Sequence, residues 1–211
     1  NISKVKKIII KTQSSKIKVG YKFGLEFLNS KNGRNFLSKL KNKIIFADMK
    51  IHDIPNTCIS AVRAIKDLKV NYLTIHISSG LKAIKAAKKV AGKTKLIGVT
   101  ILTSLNDKAL KEIGFNKNVK KIVLDQAKLA KKAKLDAIVC SAQEIKIVKK
   151  VFKKEIITPG IRLDTKKNDQ KRTLTPKQAF KNGSDWLVIG RPITKGNIKK
   201  NMQTLIDHLS Q

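Results

Sequence analysis

Residues 44–57, Ile44-Ile45-Phe46-Ala47-Asp48-Met49-Lys50-Ile51-His52-Asp53-Ile54-Pro55-Asn56-Thr57, decide how the chain is read. The apolar start, Ile44 to Ala47, predicts a short buried strand. Asp48, Lys50 and His52 alternate with Met49 and Ile51, so at strand spacing the three polar side chains share one face. Asp53 follows, and Pro55-Asn56-Thr57 opens a helix. Two carboxylates and an ammonium therefore stand at or just beyond the C-terminal end of a strand. Charges are seldom buried unless they are paired or functional. In a barrel of parallel strands, this end is where catalytic residues sit. An Asp/Lys ion pair capping the strand is the structural alternative for these residues taken alone.

Outward from this stretch, strand-like apolar runs alternate with amphipathic helical ones. Upstream, Ile2, Val5, Ile8 and Ile9 recur at helical spacing within residues 2–13. A strand over 17–21 and a helix over about 30–41 follow. Downstream, the pattern predicts a helix over 56–68, then a strand over 70–76 leading through Ser78-Ser79-Gly80 into a helix that ends at Val90. A strand over 96–100 precedes a long helical region, 107–134. A strand over 136–140 leads through Ser141 into a helix over 142–152, and a strand over 156–158 ends in Pro159-Gly160. After a polar loop from Leu163 to Arg172, Thr175-Pro176 starts a helix to Asn182. The last strand, 186–189, ends at Gly190-Arg191-Pro192 ahead of a terminal helix.

Strands alternating with helices imply right-handed βαβ units and a parallel sheet. The fold class is α/β, a single domain over residues 1–211, and no linker or short repeat marks a second unit. No G-x-G-x-x-G stands at the first strand-to-helix turn, which argues against a doubly wound dinucleotide fold. Polar or Gly-rich clusters follow nearly every strand, as a (β/α)8 TIM barrel requires. The pattern holds seven strands with a helix ahead of the first. The expectation is therefore a barrel lacking its first strand at the N-terminus, just before Ile2.

Composition excludes several function classes. The net charge is +33 over 211 residues. Lysines greatly outnumber arginines, are spread along nearly every segment and are not interleaved with aromatic stacking platforms, so no specific nucleic-acid partner is expected. A positive field would still draw a phosphorylated, acidic substrate toward a site. No apolar run spans a bilayer, so no membrane partner is expected. The run of isoleucines near the N-terminus is too short for a signal peptide, and the expected location is cytoplasmic. Cys58 and Cys140 lack metal-ligand spacing and read as small buried hydrophobes.

Four clusters of candidate site residues fall at strand ends: Lys18; Asp48, Lys50 and Asp53; Thr103-Ser104; and the late group Arg162, Gln170, Gly190 and Arg191. Lys18, flanked by Ile17 and Val19, would point inward or toward the mouth of a barrel. At Gly190-Arg191, glycine permits close backbone approach, the following helix offers free N–H groups, and arginine adds a charged fork. The rim after the last barrel strands is a common phosphate site. His52 reads as a maker of structural hydrogen bonds, His76 as a mouth or structural residue, His208 as surface and Trp186 as core.

The segments IKVGYKFGLEF, FADMKIHDIPNT, VTILTSL, IVCSAQE, ITPGIR, DQKRTLTP and WLVIGRPIT together resemble bacterial orotidine 5'-phosphate decarboxylase in order and spacing, over almost the entire chain. The resemblance implies a homodimeric barrel that removes the carboxylate of orotidine 5'-phosphate to give UMP, with no metal or organic cofactor. It assigns Lys18, Asp48, Lys50 and Asp53 to the family's alternating Lys-Asp-Lys-Asp array, with Lys50 as proton donor. Asp53, with Ile54 and Thr57, would reach into the partner's site across the dimer interface. Thr103 and Ser141 match positions that contact the pyrimidine. Arg162, Gln170, Gly190 and Arg191 match the phosphate grip, with Gln170 on a loop that closes over the ligand. The family's first strand ends in an Asp that contacts the ribose, and no residue here matches it. The alternatives are a magnesium-dependent sugar-phosphate decarboxylase or aldolase with the same D-x-K-x-x-D array, and an inactive basic relative that binds nucleic acid.

Overall fold

In a computed structural model that describes residues 1–163 and 174–210, seven strands form one sheet: β1 (Gly20–Phe23), β2 (Ile44–Ile51), β3 (Tyr72–His76), β4 (Lys95–Val99), β5 (Ala137–Val139), β6 (Glu155–Thr158) and β7 (Trp186–Leu187). They lie in sequence order and every neighbouring pair is parallel. Parallel strands need crossover connections, and helices supply most of them here.

Side-chain alternation divides the strands into two layers. Phe46, Tyr72, Ile97, Ala137 and Ile157 form one buried cluster, joined by Trp186 and Val188, so successive strands turn one face toward a common interior. Ile45, Ala47, Leu73, Ile75, Leu96, Ile138 and Ile156 turn the other way. They pack with Cys58, Val62, Ile84, Val123 and Val148 of the surrounding helices. The sheet is thus curled, with helices outside, as in a (β/α)8-like barrel. At the N-terminal floor, Tyr72 donates a 2.8 Å hydrogen bond to Glu155, which also pairs with Lys95.

Among the described residues, β1 pairs only with β2, and β7 only with β6. Between these two edges lies a cleft of about 400 Å³, walled mainly by apolar side chains that include Ile44, Phe46, Ile157, Trp186 and Val188. The helix Ile2–Lys11 and the terminal helix Ile198–Ser210 border it through Ile8, Ile9, Met202 and Leu205.

Several elements differ from the sequence reading. The first strand lies about three residues later than expected, and β2 runs on to Ile51, well past the apolar run that predicted it. The region 107–134 is two helices, Asp107–Glu112 and Val119–Lys132. Gly114, at φ +87°, breaks the first, and the Asn118 side chain caps the second by accepting from Lys121 N–H. The region 30–41 holds a short helix, Gly33–Ser38, preceded by Leu25–Leu28. By contrast, Thr175 caps the helix Pro176–Lys181 with a full capping box, as Thr-Pro signals. Among the described residues, no helix is long and apolar enough to cross a membrane.

Gly98, buried in β4, tests the outer layer. A Cβ there would stand 2.8 Å from Ile77 Cδ1 and 2.8 Å from Leu135 Cδ1. Gly98→Ala is expected to lower the unfolding free energy by about 1–3 kcal/mol, measured as a reduced urea midpoint. An unchanged midpoint would show that the helices give way freely.

Candidate active site

The C-terminal end of β2 departs from a regular ladder. Ala47 pairs with Leu73 and Ile51 with Ile75, so Asp48, Met49 and Lys50 together face the single residue Thr74. A one-residue excess would have turned everything downstream to the other face. An excess of two keeps the alternation, and Ile51 stays among the helices. Lys50 absorbs part of the distortion with a left-handed backbone, φ +49°.

The bulge gathers charge. Asp48 is only 6% exposed. Its Oδ2 accepts from Lys50 Nζ at 2.9 Å and from Lys22 Nζ at 2.8 Å, while its Oδ1 accepts from Thr74 Oγ1 at 3.2 Å. Burial pushes the Asp48 carboxyl up, but the hydrogen bonds and charges of Lys22 and Lys50 together outweigh it and hold the group below the usual carboxylate range. The site therefore holds a fixed carboxylate bridging two ammonium groups, an arrangement suited to stabilising negative charge and to delivering a proton.

Lys22, which sequence reasoning passed over, occupies the place next to Asp48 that the resemblance assigns to Lys18. The register explains this: Gly20 pairs with Ile44, so Lys22 lies opposite Phe46, one inward step before Asp48. Lys18 precedes the strand, and its ammonium lies 5.7 Å from the centre of the Trp186 ring. The available signal was spacing, since residues 18 and 22 have the same parity on an extended segment.

A cavity of about 190 Å³ opens beside the array, lined by Lys22, Asp48, Lys50, Thr103, Cys140 and Pro159 among others. The neighbouring cleft is larger, but its walls are mostly apolar; the smaller cavity holds Asp48 and Lys50, and it is taken as the chemical site. Of the expected residues, Asp48, Lys50 and Thr103 line this cavity. Ser141 is buried next to Cys140, and its Oγ accepts from Gln143 N–H. Gly190 lines the adjoining cleft and opens the short helix Arg191–Thr194; Arg191 is exposed. Arg162 is half-buried just beyond β6, where its guanidinium donates to Ile161 O at 3.2 Å. Asp53, Ile54 and Thr57 are exposed on the rim, and Asp53 Oδ1 accepts from Ile54 N–H. They are not part of the Asp48 cluster within one chain. Gln170 lies outside the described residues.

His52 falls beyond the end of β2 and leaves the shared face. Its Nε2 lies 3.3 Å from Ser78 Oγ, and its ring stands 5.2 Å from that of His76. Burial, then the positive surroundings of His52 and Lys50, lower the pKa of His76 despite the opposing charge of Asp48. Trp186 is half-buried and packs against the inner core cluster beside the cleft, and His208 is half-buried, not surface. Both cysteines are buried and free; burial pushes their thiols up, as expected of inert hydrophobes.

A curled parallel sheet with an ion-paired acid–base array at its C-terminal mouth defines a β/α-barrel enzyme. Comparison with known proteins narrows the class. The model for the orotidine 5'-phosphate decarboxylase / HUMPS family matches residues 3–202, and the chain belongs to that family. An orotidine 5'-phosphate decarboxylase of the Wolbachia species from Brugia malayi is 48% identical over 196 residues, covering 90% of this chain and 87% of the relative. The Coxiella burnetii enzyme of the same name is 46% identical over 179 residues, covering 80% of this chain and 76% of the relative. The crystal structure of orotidine 5'-phosphate decarboxylase from Lactobacillus acidophilus superposes with a TM-score of 0.82 at 31% identity, covering 99% of this chain and 94% of that one.

The lowered pKa of Asp48 fixes a pH dependence. The ionised form is favoured by folding, so its contribution to stability is present above the ordinary value of 3.8 and disappears as pH falls through the lower folded value. The stability difference between the parent chain and Asp48→Asn is expected to be constant from pH 5 to 7, about the range where both states are ionised, and to shrink in acid. Urea unfolding at a series of pH values measures it.

Proposed function

We propose that this chain decarboxylates orotidine 5'-phosphate to UMP in de novo pyrimidine synthesis, as a metal-free carbon–carbon lyase. Family membership and the names of the relatives support the reaction. The observation that carries the chemistry is the contact of Lys50 with Asp48 at the mouth of the barrel.

Loss of carbon dioxide leaves a carbanion at the sixth carbon of the pyrimidine. The Lys50 ammonium, paired with the Asp48 carboxylate, stabilises the developing charge and then protonates the carbon. Asp48 lies beside the departing carboxylate. Thr103 and Ser141 bind the pyrimidine, while Arg162, Gln170, Gly190 and Arg191 grip the phosphate. The phosphate is remote from the bond that breaks, so its binding energy serves to order the site. Asp53, Ile54 and Thr57 act across a homodimer interface in the partner's site; their exposure on the rim, with Ile54 66% exposed, supports this. The first lysine of the array comes from the segment 18–22: the resemblance favours Lys18, the contact with Asp48 favours Lys22.

The working fold in this reading is a single-domain (β/α)8 barrel over residues 1–211. In this reading a closing strand, the barrel's first, belongs between β1 and β7, and the apolar cleft there supports it. The reaction is placed in the cytoplasm, and the high positive charge concentrates anionic substrate without a specific nucleic-acid partner.

The first test is UMP formation from orotidine 5'-phosphate with EDTA present. Undiminished turnover is expected; turnover that needs added magnesium would favour the sugar-phosphate branch of the family. Lys50→Ala is expected to abolish turnover while UMP binding, followed by calorimetry, changes little. Near-normal turnover would remove Lys50 from the proton-donor role. Lys18→Ala and Lys22→Ala decide the remaining assignment: the lysine that supports the developing charge is expected to cost about 100-fold or more in kcat, and the other far less.

A further inference from the structure

Thr74 sits in β3 opposite the bulge, fully buried at 0% exposure. The stretch Tyr72-Leu73-Thr74-Ile75 is otherwise apolar apart from the tyrosine hydroxyl, so a hydroxyl at this point in a parallel strand calls for a partner. It has two. Its Oγ1 accepts from Lys50 N–H at 2.8 Å and donates to Asp48 Oδ1 at 3.2 Å. A regular ladder would have offered a β3 carbonyl to this stretch of β2, but between the Ala47–Leu73 and Ile51–Ile75 pairs the ladder is interrupted. The threonine side chain satisfies the Lys50 amide there, and the same oxygen orients the carboxylate that binds the Lys50 ammonium.

We infer that Thr74 is a positioning residue for the decarboxylation, clamping the backbone of Lys50 and the carboxylate of Asp48 at once so that the ammonium is aimed at the reacting carbon. The inference rests on the proposed reaction for its consequence, but the clamp itself is independent of turnover. Thr74 need not touch the substrate. It fixes two atoms of the bulge whose displacement would swing Lys50, and small misplacements of a catalytic group are costly to rate. A left-handed lysine backbone persists only where its surroundings hold it.

Thr74→Val keeps the shape and removes both hydrogen bonds; Thr74→Ser keeps the hydroxyl. Thr74→Val is expected to lower kcat by about ten-fold or more, the scale of one or two lost hydrogen bonds, with KM for orotidine 5'-phosphate little changed. Thr74→Ser is expected to recover most of that loss. Hydrogen exchange at the Lys50 amide supplies the second readout. It is expected to speed by about ten-fold in Thr74→Val and to return toward the parent rate in Thr74→Ser, with circular dichroism confirming that both variants fold. Parent-like kcat in Thr74→Val, or equal losses in the two variants, would overturn the positioning role. Unchanged amide exchange in Thr74→Val would overturn the clamp. If the parent chain itself produced no UMP, the proposed reaction would fail, and amide exchange would still decide whether Thr74 holds the bulge. Should Thr74→Val not fold, Thr74→Ala, which also removes both hydrogen bonds, takes its place: slower turnover and faster Lys50 exchange in Thr74→Ala than in Thr74→Ser would support the clamp, and equal values in the two would refute it.

Discussion

One carboxylate oxygen, Asp48 Oδ2, holds two ammonium groups within hydrogen-bonding distance. Two lysines brought this close would repel each other, and a carboxylate this deep would be costly to ionise alone. Each charge is tolerable because of the others. Both lysines keep about a third of their side-chain surface in solvent, which tempers the attraction but leaves the carboxylate as the fixed centre. The arrangement needs three segments in register: β1 for Lys22, β2 for Asp48 and Lys50, and β3 for Thr74. The barrel supplies that alignment through a ladder whose inner face is otherwise packed with Phe46, Tyr72, Ile97 and Ile157.

The bulge reconciles two demands on β2. Its outward residues must keep packing against the helices, which requires strict alternation from Ile45 through Ile51. Its inward residues must crowd two opposite charges into the space of one ladder position. Two extra residues satisfy both, at the cost of a left-handed lysine and an interrupted run of backbone hydrogen bonds. Left-handed backbone at a non-glycine residue costs on the order of 1 kcal/mol or more, and the Thr74 hydroxyl meets the amide that the distortion leaves unpaired. On the proposed reaction, strain and chemistry coincide at Lys50.

Beyond the array, charge acts at longer range. The net charge of +33 surrounds a mouth that, on the proposed reaction, receives a substrate carrying a carboxylate and a phosphate. A field of that sign favours encounter, while specificity is left to the few groups at the rim. The cleft between β1 and β7 is walled mainly by apolar side chains, with Lys18 and Lys22 as the charged residues of its lining.

Much of this was legible in the chain. Alternating apolar runs and amphipathic stretches require a parallel β/α sheet, because parallel strands need crossovers and buried strands need apolar faces. Asp48 and Lys50 stood out as charges ending an apolar strand, and they do line the same cavity. Short-range capping chemistry, as at Thr175-Pro176, was equally readable. What the tertiary structure decided is register. Periodicity specifies which face a residue takes, but not how far one strand slides along its neighbour; a shift that preserves parity leaves no trace in the pattern. Lys18 and Lys22 share parity, and only the pairing of Gly20 with Ile44 brings Lys22 to Asp48. Thr74 was invisible for the same reason: its hydroxyl acquires meaning only opposite two extra residues on another strand, twenty-odd positions away in the chain but in direct contact in the fold.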